Sequence, residues 1–127
     1  ISIDEIDITG DKAIEWTKIL NISSKYQNIP IIIDGGNSKE LMYNSYLFSL
    51  LLNSSNIFIE THNLLGFNQI EDLAGFKGSK RILYGSYYPF LNPDISLLRL
   101  ANANLRESDI QNIASKNIKE IISKINI

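Results

Sequence analysis

Two kinds of segment, which differ in the spacing of their apolar residues, alternate along this chain. Short apolar runs, which predict β-strands, lie at residues 1–8, 31–33, 57–61 and 82–84. Apolar residues spaced three or four positions apart predict helices that end near residues 25 and 52, span residues 67–76, and begin near residues 92 and 108. Because strands alternate with helices across short connections, the pattern predicts an α/β domain of four parallel βα units with a further C-terminal helix.

Local signals mark where some of these elements begin. Asn37 is followed three residues later by Glu40, which is the spacing of a helix-capping box, and Asn92-Pro93 is a cap residue followed by a helix-starting proline. The run at residues 31–33 consists of isoleucines without alternation, which favours a strand covered on both faces. We therefore expect this strand to lie inside a parallel sheet that has both of its faces covered.

Composition narrows the class of protein without indicating a function. A chain of 127 residues, 44% of them hydrophobic and 20% charged, is ordinary for one globular domain. The net charge of −2 gives no electrostatic basis for binding nucleic acid or an anionic membrane. The sequence has no cysteine, which excludes disulfides and thiol chemistry and fits a reducing compartment, so we expect a cytoplasmic location. The longest apolar patch, residues 47–52, is far shorter than a membrane-spanning helix.

The stretch at residues 81–90 resembles a known family. It reads Arg-Ile-Leu-Tyr-Gly-Ser-Tyr-Tyr-Pro-Phe and is similar to the last barrel strand of the metal-dependent hydrolases of the amidohydrolase superfamily, where the pattern is R-I-L-F/Y-G-S/T-D-x-P-F. Three more stretches resemble the sixth strand, the seventh strand and the closing helix of that family, in the family's order: residues 24–36, 56–61 and 117–122. The ordered set covers nearly the whole chain.

This resemblance implies a fold. Residues 1–127 would form a single half-barrel domain, the C-terminal half of a (β/α)8 barrel of the TIM type, as a fragment or a truncated member of the family. Such barrels place their active sites at the carboxyl ends of the strands. The rim of the half-barrel would then consist of Thr9-Gly10, Asp34 with the two glycines that follow it, residues 60–62, and Tyr87.

The family's metal ligands are replaced at every rim position in this half. The resemblance implies one or two divalent metals, held by a His-x-His motif after strand one, a histidine after each of strands five and six, and an aspartate after strand eight. Here the last three positions carry Thr9-Gly10, Asp34 and Tyr87. We therefore expect no metal site and no cofactor in this chain by itself. A divalent metal, Zn or Mn, is expected only if an N-terminal half supplies the His-x-His motif.

Two residues are candidates for catalysis and three for substrate contact. His62, the only histidine, follows the third strand and could act as a general base assisted by Glu60 or Asp34, or it could be a loop histidine with local hydrogen bonds. Asp34 could be a catalytic acid at the rim or the start of a strand-ending turn. Glu60, Tyr87 and Tyr88 are the candidate substrate contacts, and the tyrosine pair could instead seal the top of the barrel.

Half a barrel leaves surfaces exposed. The outer edges of the first and fourth strands would be open, and the inner face of the sheet would face water. We therefore expect the chain to work as a homo-oligomer or together with an N-terminal half-barrel. Three functions stay open: a domain that is catalytically silent by itself, one half of an active hydrolase or decarboxylase-like enzyme that acts on C–N or C–O bonds, and a binding or assembly module.

Overall fold

The computed structural model describes residues 2–4, 16–34, 45–62, 64 and 66–125. Its strands are β1 (Ser2–Asp4), β2 (Ile31–Asp34), β3 (Ile57–Glu60) and β4 (Ile82–Leu83). Its helices are α1 (Trp16–Lys25), α2 (Ser45–Asn53), α3 (Gln69–Lys77), α4 (Pro93–Ala101), α5 (Glu107–Gln111) and α6 (Asn117–Ser123), with a 3-10 turn at Ser79–Arg81 and a π-helical turn at Asn112–Lys116. The expectations for Thr9-Gly10, for the two glycines after Asp34 and for the capping box at Asn37 and Glu40 lie outside the described residues.

The four described strands form one parallel sheet in the order β1-β2-β3-β4. Ile3 pairs with Ile33, Ile33 with Ile59, and Ile59 with Ile82, so an isoleucine of each strand lies in one row across the sheet. Right-handed crossovers in a sheet of sequential order place the connecting helices on the same face. The α/β class and the parallel pairing are confirmed, and the half-barrel stays a prediction.

One face of the sheet holds the hydrophobic core, and the other face is only half-buried along β2 and β3. Along β2 and β3, Ile33 and Ile59 are buried, whereas Ile32 and Phe58 are half-buried. The helices contribute apolar side chains to the same core, namely Ile19, Leu47, Leu50, Leu51, Leu73 and Leu100. The expectation of cover on both faces of β2 is therefore wrong for Ile32, because the helices pack against the opposite face.

The buried side chain of Asn117 ties α6 to the segment that enters β4. Its Nδ2 donates hydrogen bonds to the carbonyl oxygens of Ser79, at 2.8 Å, and of Ile82, at 2.7 Å. Asn117 is only 5% exposed, so this amide pairs backbone acceptors in a place that water reaches poorly. The closing helix is thus held to the sheet by polar contacts as well as by apolar packing.

The outer edge of β4 is hydrogen-bonded to the C-terminal helices. The Leu83 carbonyl accepts from the Thr61 N–H at 3.0 Å, on the side of β3. Backbone groups alternate in direction along a strand, so the Ile82 carbonyl and the Tyr84 N–H point away from β3. The first accepts from the asparagine of α6, and the second donates to the Ile113 carbonyl at 3.0 Å, inside the π-helical turn. The expectation of an open edge at the fourth strand is wrong for these two groups.

A second buried asparagine, Asn56, closes the turn that follows α1. Its Nδ2 donates to the carbonyl oxygens of Tyr26, at 2.9 Å, and of Ile29, at 2.7 Å, and its Oδ1 accepts from Ser23 Oγ. The Asn56 backbone carbonyl accepts from the Ile31 N–H at 2.8 Å, where β2 begins. One residue therefore fixes the path by which the chain returns from α1 to the sheet.

Arg81 joins the start of β4 to the start of β3. Its guanidinium donates to the Ser54 carbonyl and hydroxyl, each at 3.2 Å, and its Nε donates to the Ile57 carbonyl. Burial lowers the pKa of the guanidinium, which still remains charged at neutral pH. Asn56, Arg81 and Asn117 all belong to the stretches that carry the family resemblance. In the structure, each of them makes hydrogen bonds that hold elements of the fold together.

Asp109 is expected to make stability depend on pH in acid. It accepts hydrogen bonds from Arg106 Nε at 2.8 Å and from Ser79 Oγ at 2.7 Å, and these bonds lower the pKa of Asp109. A depressed pKa contributes stability that is full above the unfolded-state pKa of about 3.9 and is lost as the pH falls through the lower folded-state value. We expect Asp109→Asn to be less stable than the wild type at pH 7, with a difference that narrows below about pH 4. Urea unfolding at a series of pH values measures this difference, and a constant difference down to pH ~3 would contradict the expectation.

Candidate functional site

Polar residues gather at the carboxyl edge of the sheet, where parallel α/β proteins commonly bind ligands. Asp34 is the last residue of β2 and Glu60 is the last residue of β3, and both are half-buried. Each follows an isoleucine that is buried in the core, so the alternation of a strand turns both carboxylates to the half-buried face. His62 comes two residues after the end of β3 and is 3% exposed.

We term Asp34, Glu60 and His62 the rim cluster. The carboxylates of Asp34 and Glu60 both approach one ring nitrogen of His62, Nδ1. His62 Nδ1 lies 3.2 Å from Asp34 Oδ1 and forms a hydrogen bond with Glu60 Oε2. Ligand atoms of the three residues all lie within 4.8 Å of one another. The structure therefore brings together both catalytic candidates and one candidate substrate contact. His62 thus forms a local hydrogen bond with Glu60 and an ion-pair contact with Asp34 of the neighbouring strand, and its role as a general base stays a prediction.

The rim cluster concentrates negative charge around a single nitrogen. A neutral imidazole leaves two negative charges in the cluster, and an imidazolium leaves one. The side chains of Asp34 and Glu60 are only 24% and 14% exposed, so water screens their charges less than it would at the open surface. The cluster therefore favours a positive charge beside His62 Nδ1, supplied by a proton or by a bound cation.

Tyr87 stacks on His62 from the loop that follows β4. The planes of the two rings are 1° from parallel, and their centroids are 4.5 Å apart. Tyr87 has a φ of 56°, an uncommon value for a residue other than glycine, and its ring also contacts Phe90 at a centroid distance of 5.2 Å. Tyr87 thus limits the orientations of the imidazole. Tyr88, the other tyrosine of the pair, is 73% exposed.

Gly85 provides the space that the Glu60 carboxylate occupies. A Cβ atom at Gly85 would lie 0.8 Å from Glu60 Oε1 and 1.9 Å from Glu60 Cδ. The Gly85 N–H donates to Thr61 Oγ1 at 3.2 Å, which joins the loop after β4 to the end of β3. Gly85 is not among the candidates predicted from the sequence. The signal that indicates it is a glycine just after an apolar strand, at a position where another chain segment approaches closely.

We expect Gly85→Ala to separate Glu60 from His62 and to leave the fold intact. The atoms that the new methyl group would meet are at the end of a flexible side chain, which can rotate away. His62 is the only histidine, so its ring nitrogen resonances can be followed by NMR without ambiguity. The expected result is a change in the Nδ1 resonance that Glu60→Gln reproduces.

Gly75→Ala is the matched control for that experiment. A Cβ atom at Gly75, inside α3, would meet no atom within 4 Å. Alanine at this helical position is expected to raise the free energy of unfolding by about 1 kcal/mol and to leave the His62 resonances unchanged. If the Nδ1 resonance in Gly85→Ala were also unchanged, the space at Gly85 would not be what positions Glu60.

The rim cluster differs from the ligand set that the family resemblance implies. By the resemblance, Asp34 would stand at the position of the family's sixth-strand histidine and Tyr87 at the position of its aspartate. In the structure Tyr87 presents an aromatic ring to His62. Glu60 and His62 come from the seventh-strand position, which supplies no ligand in the family pattern. The expectation that this chain holds no metal by itself assumes that Asp34 is a single carboxylate without a second ligand beside it. In the structure Asp34 lies beside two further donors, and the three together could hold a divalent cation.

Comparison with protein-family models, with curated proteins and with solved structures finds no match for this chain. Across the described ranges, no helix is both long and apolar enough to span a membrane. The class of protein that the fold and the site define is therefore an α/β protein with a parallel sheet and an acidic cluster, containing a histidine, at the carboxyl edge of that sheet.

Proposed function

We propose that this chain is the C-terminal half of an amidohydrolase-like barrel and that its rim cluster activates water for hydrolysis once a second half covers the sheet. By itself the chain is catalytically silent. The substrate class is a compound with a hydrolysable C–N or C–O bond. The family resemblance of residues 81–90 and the sequential order of four parallel strands support this proposal, since a (β/α)8 barrel requires that order.

The observation that carries the proposal is the position of the rim cluster. It lies at the carboxyl ends of β2 and β3, on the face of the sheet opposite to the core. In a closed barrel this face becomes the interior, and its carboxyl end becomes the mouth in which catalysis takes place. A cluster at the amino end, or on the core face, would not support a barrel enzyme.

The chemistry available to the rim cluster is removal of a proton from water. The Asp34 and Glu60 carboxylates hold the His62 ring at Nδ1 and stabilise positive charge there. A water molecule that gives its proton to the imidazole becomes a hydroxide, which attacks the electrophilic carbon of the substrate. The imidazolium then returns that proton to the amine or alcohol that departs. A cation held by the rim cluster would instead lower the pKa of the water. The ring of Tyr87 keeps the imidazole in place during that step.

The isolated chain is expected to lack catalytic activity because water reaches the half-buried face of the sheet. Ile32 and Phe58 lie on the face that the helices leave uncovered, next to the rim cluster. Water near charged groups weakens the electrostatic stabilisation of a transition state. A second half would exclude this water and would supply the remaining substrate contacts.

The test compares hydrolysis by the chain alone with hydrolysis by its complex with a second half, across a panel of amide and ester substrates. The second half is the region encoded before it in the same reading frame or, for a self-assembling chain, another copy. We expect background rates for the chain, a measurable rate for the complex, and a loss of about 100-fold or more in His62→Asn and Glu60→Gln complexes. Asp72→Asn, an exposed carboxylate of α3, is the control and should keep the wild-type rate. Wild-type rates in the two cluster variants, or no hydrolysis by the complex across the panel, would overturn the proposal.

Exposed apolar surface supports the proposal that the chain works in association. A groove of about 710 Å³ lies at the amino end of the sheet, and its apolar lining includes Ile29, Phe58, Ile121 and Ile125. The segment around α4 also exposes large apolar side chains, namely Phe90, Leu91, Ile95, Leu97 and Leu98. Many exposed large apolar side chains along one segment are uncommon on a protein that binds no partner.

We expect light scattering at micromolar concentration to give a mass above the 14.4 kDa of one chain, or a mass that rises to that of a complex when the second half is added. Ile95→Lys, at a side chain that is 60% exposed, tests whether the surface around α4 takes part, because a buried lysine at an interface is costly. A wild-type chain that stays monomeric both alone and with the second half would contradict the expectation.

A further inference from the structure

We propose that the rim cluster is a binding site for one divalent cation, Zn²⁺, held by Asp34 Oδ1, a carboxylate oxygen of Glu60 and His62 Nδ1. The inference rests on the proposed function and names the cofactor of that site. Its donor set is not the one that the family resemblance implies, because Glu60 and His62 follow a strand that supplies no ligand there. The argument uses the spacing of the donors, the balance of charge and the choice of metal.

Two of the three donors are already spaced as ligands of one ion, and the third lies beside them. His62 Nδ1 and Asp34 Oδ1 are 3.2 Å apart, and ligand atoms of all three residues lie within 4.8 Å of one another. Two ligands that are each about 2.1 Å from a tetrahedral Zn²⁺ are separated by about 3.4 Å. Asp34 and His62 therefore need almost no movement, and the Glu60 carboxylate needs only to move slightly away from the ring.

The balance of charge also favours a cation. Asp34 and Glu60 each form an ion-pair contact with the same nitrogen, which can carry only one proton. Glu60 Oε1 is buried and has no hydrogen-bond partner among the described residues. A buried carboxylate oxygen in that state costs free energy unless a positive group meets it. A divalent cation supplies two positive charges at the point where the two carboxylates converge.

The mixture of donors favours zinc over calcium and magnesium. One imidazole nitrogen with two carboxylate oxygens matches the N and O ligands of Zn²⁺, and three protein ligands leave a position for water, as in catalytic zinc sites. Calcium needs six to eight oxygen ligands, and magnesium binds chiefly through oxygen and retains several waters, so neither suits a site with a histidine. When bound, the cation would lower the pKa of a bound water to about 7.

Two neighbours of the rim cluster would determine how tightly the ion is held. Tyr87 stacks on the imidazole and limits its rotation, so Nδ1 stays directed at the carboxylates. Gly85 leaves the space in which the Glu60 carboxylate lies. Gly85→Ala therefore retains all three ligands but displaces the Glu60 carboxylate. Weaker Zn²⁺ binding in this variant would come from the position of a ligand and not from its loss.

Isothermal titration of the chain with Zn²⁺ tests the inference, with Ca²⁺ and Mg²⁺ titrated in parallel. We expect one Zn²⁺ per chain, at least tenfold weaker binding of the other two ions, and a shift of the His62 Nδ1 resonance on saturation with Zn²⁺. Asp34→Asn, Glu60→Gln, His62→Asn and Gly85→Ala are each expected to weaken Zn²⁺ binding by about tenfold or more. Asp72 and Gly75 lie on α3, and the Asp72→Asn and Gly75→Ala variants should bind Zn²⁺ as the wild type does.

Circular dichroism establishes that each variant is folded, and Gly85→Ala with Glu60→Gln decides the result if His62→Asn does not fold. Zn²⁺ binding that is absent, or that is unchanged in Gly85→Ala and Glu60→Gln, would overturn the inference. The outcome is distinct from that of the proposed function. Zn²⁺ binding without hydrolysis by the complex would support the zinc site and overturn the proposed function. Hydrolysis by the complex without Zn²⁺ binding would support the proposed function and overturn the zinc site.

Discussion

Asn56→Ala is expected to lower the free energy of unfolding by about 3 kcal/mol, because removing a buried hydrogen-bonding group leaves its partners unsatisfied at about 1–3 kcal/mol each. The side chain is 6% exposed and donates to the carbonyl oxygens of Tyr26 and Ile29. Without the amide, both carbonyls and the Ser23 hydroxyl lose their partner. Urea unfolding of the two proteins, with equal slopes, measures the difference.

Asn53→Ala is the matched control, since it removes the same side chain from the exposed end of α2. Asn53 Nδ2 donates to the Ser49 carbonyl at 2.8 Å, but the bond is exposed, so water can replace the amide. The expected change is within about 0.5 kcal/mol. Equal losses in Asn56→Ala and Asn53→Ala would show that burial of the Asn56 contacts does not matter to stability.

The second large effect is expected at Asn117. Asn117→Ala removes the amide that pairs the carbonyl oxygens of Ser79 and Ile82, and we expect a loss of about 2–4 kcal/mol in the free energy of unfolding. Because α6 is then held less firmly against β4, amide hydrogen exchange should also become faster at Tyr84, whose N–H donates to Ile113.

Asn112→Ala serves as the comparison for Asn117→Ala. Asn112 Nδ2 donates at 3.0 Å to the Ser79 hydroxyl, which can rotate and which also donates to Asp109. Its loss is expected to cost about 1 kcal/mol and to leave exchange at Tyr84 unchanged. A cost in Asn112→Ala that equals the cost in Asn117→Ala would contradict the role assigned to the two carbonyls.

The strands could be predicted because each is a short run rich in isoleucine. The runs at residues 31–33, 57–61 and 82–84 correspond to β2, β3 and β4 within one or two residues, and the helix expected from residue 108 begins at Glu107. The π-helical turn could not be predicted from periodicity. Its position depends on a hydrogen bond between the Ile113 carbonyl and a backbone group just past β4, which is a tertiary contact.

The location of the rim cluster was predictable, but its geometry was not. Parallel strands end at the same edge, so Asp34 and Glu60 could be expected near each other. The direction of the His62 ring depends on Tyr87, whose backbone has a positive φ, and on Glu60, whose place depends on Gly85. The contact between Glu60 and His62 is local in sequence, but Tyr87 and Gly85 lie about 25 residues further along the chain. Their effect depends on the packing of the loop after β4 against the end of β3, which is a tertiary contact.

The two ends of the sheet differ in what they keep of the family pattern. Asn56, Arg81 and Asn117 match the pattern and bind backbone carbonyls that connect elements of the fold. Asp34 and Tyr87 depart from the pattern and lie at the carboxyl edge. Hydrogen bonds that hold a fold together constrain residue type independently of chemistry, so the scaffold residues can match while the residues of the site do not.

The hydrogen-bonded edge of β4 limits how many further strands can pair with this sheet. A sheet with two free edges can add strands without end and form a filament, whereas a sheet with one free edge can add a neighbour on that side only. The sheet order ends at β1 on one side and at β4 on the other, where Ile82 and Tyr84 are already paired with the C-terminal helices. Closing a ring through β4 would therefore first require those helices to release two hydrogen bonds.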